Sequence, residues 1–344
     1  MRRASLRRRA APSLVAPALL VCAFVVAPVA AEEVVYTEGE SEIRYSTGEQ
    51  QQAQIGDVLL TGDSVRTGNN GLIKLDKENA SIRIAPGTVF TISESADATG
   101  PRSTISIALG AARFKFARFA GTEPRITTIS VGAGVRGTEF SVYAGPDGST
   151  AITVDEGLVE LVAAGESVSL SGAEGVEVRP GARPGEKFDF SSGKFDFSSW
   201  NTERETAMLA DPLDALRQVD LQLDQFVAEL RVLAPRFEQE MAILERDRGR
   251  RDAIEDAEER GTFYVSTVLP REQVASELTY NVRFNALSAL SLRRFVMGRL
   301  YLKLKGSSLS SPPHPDYQAY LQQHARLLDK YEREVVPHLV AADI

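Results

Sequence analysis

The sequence predicts an α+β protein of two domains, an all-β domain of short stacked strands, sandwich or solenoid-like, followed by an antiparallel helical bundle. Three observations point there. Twenty-two of the 26 glycines fall between Gly39 and Gly193, and only Gly249, Gly261, Gly298 and Gly306 follow. Apolar residues alternate with polar ones in short runs through that glycine-rich part, and from about Trp200 the spacing changes to steps of three and four. At 344 residues, 43% of them apolar, the chain is long enough to bury a core in each part.

The strand signals lie at 72–75, 81–84, 89–92, 105–107, 113–116, 126–131, 139–142, 151–154, 158–162, 168–170 and 176–178. Turn residues separate them, at Gly68-Asn69-Asn70-Gly71, Pro86-Gly87, Thr99-Gly100-Pro101, Gly145-Pro146-Asp147-Gly148 and Asp155-Glu156-Gly157. Strands this short bury enough surface only when stacked. Next comes a duplicated heptad, Lys187-Phe188-Asp189-Phe190-Ser191-Ser192-Gly193 and then Lys194-Phe195-Asp196-Phe197-Ser198-Ser199-Trp200. It reads as a linker, 186–200, whose rings pack on the neighbouring domain rather than as a strip that docks a partner.

Asp211 followed by Pro212 is a helix start, an N-cap and a proline at the first helical position. Positions 213, 216, 220, 223, 227, 230, 234, 237, 241 and 244 then form a coiled-coil-like seam in which only Asp220 is polar. Pro235 predicts a kink in that helix. The seam is satisfied either inside the bundle or between two copies of the chain. A second helix is expected from near Pro270 to about Lys305, apolar on too many sides for a surface helix and therefore central. Three prolines between 307 and 315 break the chain. A third helix follows from Asp316 to about Pro337, with Tyr317, Leu321, Leu328, Tyr331 and Val335 on one side.

The first 31 residues have the composition of a secretory leader. Arg2, Arg3, Arg7, Arg8 and Arg9 precede an apolar run over 13–29, and Val29-Ala30-Ala31 suits cleavage between Ala31 and Glu32. The run is shorter than the ~20 residues a membrane-spanning helix needs and contains proline. Leu19-Leu20-Val21 before Cys22 is a poor lipidation site. The expected organisation is therefore a leader at 1–31, a β domain at 32–185, the linker at 186–200 and helices at 201–344. After cleavage the chain has no cysteine, and 34 basic against 47 acidic residues leave a net charge of −13. No later stretch reads as a membrane span, since the most apolar one, 286–304, contains Arg293, Arg294, Arg299 and Lys303. The expected location is exported, periplasmic or cell surface.

An acidic chain is not drawn to nucleic acid as a whole. One cysteine and three histidines, His314, His324 and His338, leave little for a disulfide, a metal site or histidine-centred catalysis. His324 falls among the apolar positions of the third helix, where burial depresses an imidazole pKa. Gly132-Ala133-Gly134-Val135-Arg136-Gly137 fits a dinucleotide fingerprint in letters only, because a strand rather than a helix follows it. Asp155 and Glu156 are adjacent and read as turn residues, not as a catalytic pair. No cofactor is expected, and the chain reads as a protein other than an enzyme.

One strand carries a candidate binding face. In Arg113-Phe114-Lys115-Phe116, alternation places Arg113 and Lys115 on one side and the two rings on the other. The basic side suits an anionic envelope polymer, or else it meets water and neighbouring acids, of which residues 32–198 hold 24 against 15 bases.

The stretch Gly56-Asp57-Val58-Leu59-Leu60-Thr61-Gly62-Asp63-Ser64-Val65-Arg66-Thr67-Gly68 resembles the opening of the FecR-domain family. Val135-Arg136-Gly137-Thr138-Glu139-Phe140-Ser141-Val142 resembles that family's most recognisable motif. Their order and spacing also fit, over about residues 53–170, although Lys77-Glu78-Asn79-Ala80-Ser81 stands where the family tends to have an Asp-Gly-Ser turn. Better-known members of the family are inner-membrane regulators whose domain of this kind lies in the periplasm and receives a signal. The resemblance implies an exported FecR-like β module joined to a helical partner, without implying sigma-factor control or iron. Read from the residues, Gly137 supplies a backbone conformation closed to side-chain-bearing residues, Phe140 and Val142 face the core, and Glu139 and Ser141 face out. The expected function is non-enzymatic: an envelope protein whose β domain contacts a protein partner or receives a signal while the helices position it. The alternative is a cell-wall or surface polysaccharide-binding module.

Overall fold

The computed structural model describes residues 32–77, 80–97, 100–117, 124–190, 195–310 and 314–341. The expected leader and Ala31 lie outside these residues. Among those described, fifteen strands form one continuously hydrogen-bonded network. The chain opens with β1 (Glu32–Glu38), β2 (Ser41–Arg44), β3 (Gln50–Gln52), β4 (Val58–Leu59) and β5 (Ser64–Thr67). The middle holds β6 (Leu72–Lys77), β7 (Ala80–Ile84), β8 (Val89–Asp97), β9 (Gly100–Phe116) and β10 (Arg125–Thr127). It closes with β11 (Gly132–Ala144), β12 (Thr150–Ala163), β13 (Glu166–Ser171), β14 (Glu174–Val178) and β15 (Phe188–Asp189).

The inward side chains of these strands, among them Val34, Ile43, Ile73, Phe90, Ile105, Phe114, Phe140, Val154 and Val176, form a single core. The expected all-β domain of short stacked strands is observed, as one hydrogen-bonded sheet around a single core. Every pairing is antiparallel except that of β9 with β10.

Glycines let two strands run longer than their hydrophobic runs suggest. The runs at 105–107 and 113–116 belong to one strand, β9, which bends at Gly110, where φ is +95°. Before the bend β9 pairs with β8 and β10, and after it with β7 and β11. The buried Thr88 hydroxyl accepts from the Ala111 amide at 3.0 Å and donates to the Ala111 carbonyl at 3.1 Å, so the bend leaves that backbone satisfied. The expected turn at Asp155-Glu156-Gly157 is likewise absent, since β12 runs straight through it. Gly157, at φ +93°, lies opposite a bulge at Gly137, whose φ is +57°, and the ladder shifts register there without ending. The conformation foreseen for Gly137 is observed. Phe140 and Val142 are fully buried, but Ser141 is buried as well, with Arg113 and Thr153 directly opposite it on the two flanking strands. The signal at 126–131 shortens to β10, because Ile129 leaves the sheet for the helical side.

The helices are α1 (Phe197–Ala210), α2 (Pro212–Asp252), α3 (Ala257–Phe263), α4 (Leu269–Ser291), α5 (Gly298–Ser310), α6 (Tyr317–Glu334) and α7 (Val336–Ala341). Asp211 caps α2 as expected, accepting from the Asp214 amide at 2.8 Å. α2 continues through Pro235 as one helix. The second long helix starts earlier than Pro270, at Ala257, where the Asp256 side chain caps it. Two π-helical stretches, Tyr264–Val268 and Leu292–Met297, join α3, α4 and α5. The first of them lies just ahead of Pro270, whose missing donor a wider turn accommodates.

Most of the α2 seam is buried within the chain. Leu216, Leu223, Val227 and Leu230 meet Val282, Ala286, Val296 and Leu300 of the central run and Tyr320 and Leu327 of α6. Its polar position, Asp220, pairs with Lys330, which also holds Asp224 at 2.7 Å. Internal use of the seam removes the reason for pairing two copies through it. On α6 the fully buried side chains are Tyr320, Leu327 and Tyr331, while Tyr317, Leu321 and Leu328 are partly buried at its flank.

Besides the crossing of α4 over β8, sheet and helices lock together at two places. Ile129 inserts into the helical core beside Leu216, Val219 and Leu223, and Gln222 Nε2 donates to the Ile129 carbonyl at 3.3 Å. Trp200 Nε1 donates to Glu177 Oε2 of β14 at 3.1 Å, and Arg204 pairs with the same carboxylate while its guanidinium lies 5.5 Å from the centre of the Trp200 ring. The duplicated heptad builds this second lock by two different means. In the first copy Phe188 lies in β15, paired to Gly175. In the second, Asp196 caps α1, accepting from the Ser198 amide at 2.9 Å. Phe195 packs tilted against Tyr143 and Phe197 stacks on it, with ring centres 4.8 and 5.2 Å apart, as expected of rings that pack on the β domain.

Candidate functional site between the sheet and the fourth helix

A crevice of about 820 Å³ opens where α4 crosses β8. One row of paired residues crosses five strands on its floor: Arg44 of β2 lies opposite Ser64 of β5, Ser64 opposite Thr91 of β8, Thr91 opposite Ser106 of β9, and Ser106 opposite Thr127 of β10. Ser93 and Thr104 form a second, shorter row. These side chains stand on the outer face because the intervening residues, Val65, Phe90, Ile92, Ile105 and Ile107, fill the core beneath.

Helical spacing builds the opposite wall. Ser276, Thr279, Arg283, Leu287 and Ser291 of α4 recur at steps of three and four, and Arg294 of the π-helical stretch continues the line. Tyr45 and Phe284 add two rings. Among the described lining residues are three arginines and no carboxylate, in a chain whose formal charge is −8. Arginine in a recess bounded by low-dielectric walls focuses a positive potential there.

The candidate face found in the sequence lies elsewhere. Arg113 and Lys115 fall beyond the Gly110 bend, beside a smaller cleft of about 520 Å³ to which Lys115 contributes. Both are exposed, and both already have partners. Arg113 reaches Glu139 at 2.8 Å and Asp155 at 3.3 Å, and Lys115 reaches Glu139 at 3.1 Å. Burial pushes the Glu139 carboxyl up, but the hydrogen bonds and charges of Lys115 and Arg113 outweigh it and hold the group below its ordinary range. Phe114 and Phe116 point into the core as expected, and Phe114 stacks on Phe140 with centres 5.0 Å apart.

Glu32, the residue after the expected cleavage point, begins β1 and is buried, and burial pushes its carboxyl up to about 7 against the opposing charge of Lys77. His324 stacks on Tyr301 at 5.1 Å, and burial first, then Arg293, lowers its pKa, in the direction its apolar position predicts. Gly132 to Gly137 lie within β11, so no helix N-terminus stands behind the glycines.

Sequence reasoning alone misses the crevice. Its local signal is present, since Thr91 and Ser93, and Thr104 and Ser106, are alternate hydroxyls in two strands. Which of them share a row depends on pairings between distant segments.

Residues 63–160 match the family model described as FecR protein. Four of the five residues of the long floor row, Ser64, Thr91, Ser106 and Thr127, fall inside that match, and Arg44 and the helical wall fall outside it. No curated protein matches the chain. Two crystal structures of a candidate anti-sigma factor from Parabacteroides distasonis ATCC 8503, at 1.65 and 2.50 Å resolution, are similar at 18% and 19% identity, with TM-scores of 0.34 and 0.33. Each alignment covers 40% of this chain and 63% of the other, so the chain spans less than two thirds of that protein's length. Within the strand-rich half of the chain, residues 63–160 are therefore similar to the FecR family.

Proposed function

We propose that this is a regulatory protein of the cell envelope, exported and non-enzymatic, whose FecR domain contacts a protein partner while the helices fix that domain's orientation. The observation that carries the reading is the FecR match over residues 63–160 on a β module fastened to its helical neighbour through Ile129, Gln222 and the Trp200–Glu177–Arg204 cluster. A module held at these places and at the α4–β8 crossing transmits contact at its outer face as a movement of the whole body rather than of one loop. Two apolar side chains on β12, Leu158 and Val162, remain 47% and 46% exposed on that outer face. Isolated exposed apolar residues are ordinary; here two lie on the same side of one strand, and Val162 lies across from Gly132, which has no side chain.

A photo-reactive residue placed at Leu158 or Val162 in living cells tests the reading. One dominant adduct with an envelope protein is expected. Adducts only with cytosolic proteins, or none from either position, contradict it. No helix among the described residues is long and apolar enough to cross a membrane. Export is tested separately with a cysteine placed at exposed Ile55, which a membrane-impermeant thiol reagent labels in intact, outer-membrane-permeabilised cells only if the domain lies beyond the inner membrane.

A further inference from the structure

We propose that the crevice between the sheet and α4 is a binding site for an acidic saccharide, a ligand carrying both hydroxyls and carboxylate or phosphate groups. This goes beyond the partner contact argued above and concerns a different surface. Three features of the crevice select that chemistry.

The first is the charge of its lining. Arg44 stands at one end of the floor row, and Arg283 and Arg294 stand on the helical wall, with no carboxylate among the described lining residues. A planar guanidinium fork matches carboxylate and phosphate oxygens in pairs.

The second is the hydroxyl content. Ser64, Thr91 and Ser106 follow one another across adjacent strands, and Ser276 and Ser291 face them from α4. Each hydroxyl both donates and accepts, which suits a ligand whose own groups are hydroxyls. Tyr45 and Phe284 supply ring faces of the sort on which the apolar side of a sugar rests.

The third is what the floor withholds. The backbone groups of β5, β8, β9 and β10 are used in sheet pairing, so an extended peptide finds no strand edge to join there. A hydroxyl-lined wall is also a poor seat for the apolar face of a helix. The volume, about 820 Å³, falls within the ~300–1,000 Å³ typical of small-ligand sites and suits a short oligomer.

The test is calorimetric titration of the full chain with four probes: an oligogalacturonate, a neutral oligosaccharide of the same length, inorganic phosphate and oligoglutamate. Binding of oligogalacturonate well above the other three supports the proposal. The Arg44→Ala, Arg294→Ala double variant is expected to weaken it by roughly tenfold or more, the loss expected for charge-assisted hydrogen bonds. Ser106→Tyr, which fills the floor and leaves every charge in place, is expected to weaken it as much, and Arg113→Ala, Lys115→Ala to leave it unchanged. Circular dichroism confirms that each variant is folded. Equal binding of oligoglutamate assigns the crevice to acidic peptide and overturns the proposal. Equal binding of the neutral sugar removes the arginines from the argument, phosphate alone binding as tightly reduces the site to an anion hole, and no binding of oligogalacturonate refutes it outright.

Discussion

Gln222 of α2 donates from Nε2 to the carbonyl oxygen of Ile129 at 3.3 Å, and the side chain of that same isoleucine is buried in the helical core rather than in the sheet's. One residue of the β module is therefore bonded to the helices through its backbone and packed among them through its side chain. Ile129→Ala is expected to destabilise the protein by about 2–4 kcal/mol, the usual range when a buried isoleucine is truncated and its cavity does not fully close. Urea denaturation measures this. A loss below about 1 kcal/mol would mean that the contact is incidental.

Gly157 and Gly87 both have positive φ, +93° and +69°, but only one is crowded. A Cβ at Gly157 would lie 2.5 Å from the Gly137 carbonyl oxygen, whereas nothing lies within 4 Å of one at Gly87. Gly157→Ala is expected to cost about 3 kcal/mol, combining backbone strain with a clash, and Gly87→Ala about 1 kcal/mol from the backbone alone. Parallel denaturation of the two variants checks the ordering, and equal losses would contradict the bulge geometry.

These glycines also mark where the sequence is legible and where it is not. The inward residues of the strands and the Asp211-Pro212 helix start could be read locally, because period and capping are local properties. Gly110 and Gly157 look the same in sequence as turn glycines, and only the strands on either side make them bends inside β9 and β12. The duplicated heptad makes the same point, since Phe188-Asp189 of the first copy forms a strand and Asp196-Phe197 of the second starts a helix, decided by what lies next to each. Arg113 and Lys115 were visible as a basic face, but their acids, Glu139 and Asp155, arrive from 26 and 42 positions away. The crevice was invisible for a similar reason, as its floor depends on four pairings and its wall on a helix some 150 residues further along.

The buried carboxyl of Glu32 gives stability a defined pH dependence. Its pKa is about 7 in the folded chain against an ordinary 4.5, with burial as the main cause. Below about 4.5 the group is protonated in both states and costs nothing. As pH rises from there towards 7 the unfolded chain releases this proton and the folded chain keeps it, so stability falls, then levels off above 7. The shift corresponds to about 3 kcal/mol. Glu32→Gln is expected to remove most of this fall, which is measured by comparing unfolding free energies of the two proteins across that window. An unchanged pH profile in the variant would contradict the burial of Glu32.

Asp247, near the end of α2, has a side chain only 3% exposed and is held by Arg271 at 3.1 Å and Arg246 at 3.3 Å. Removing it leaves the Arg271 guanidinium with Glu240 alone, at 2.8 Å, and opens a gap near the small core of Leu244, Val268 and Ala275. Asp247→Ala is expected to cost about 2 kcal/mol, in the range for losing hydrogen bonds to a charged group, because the arginines it leaves are partly exposed. Hydrogen exchange is expected to rise around residues 244–275 and to stay unchanged in the sheet.

Partner contact and the crevice both require that sheet and helices behave as one body, joined through Ile129, Gln222 and the Trp200–Glu177–Arg204 cluster. Differential scanning calorimetry of the whole protein tests this directly. A single transition whose calorimetric and van't Hoff enthalpies agree is expected, splitting in two when Ile129→Asp puts a charge into the helical core. Two independent transitions in the unaltered protein would contradict it.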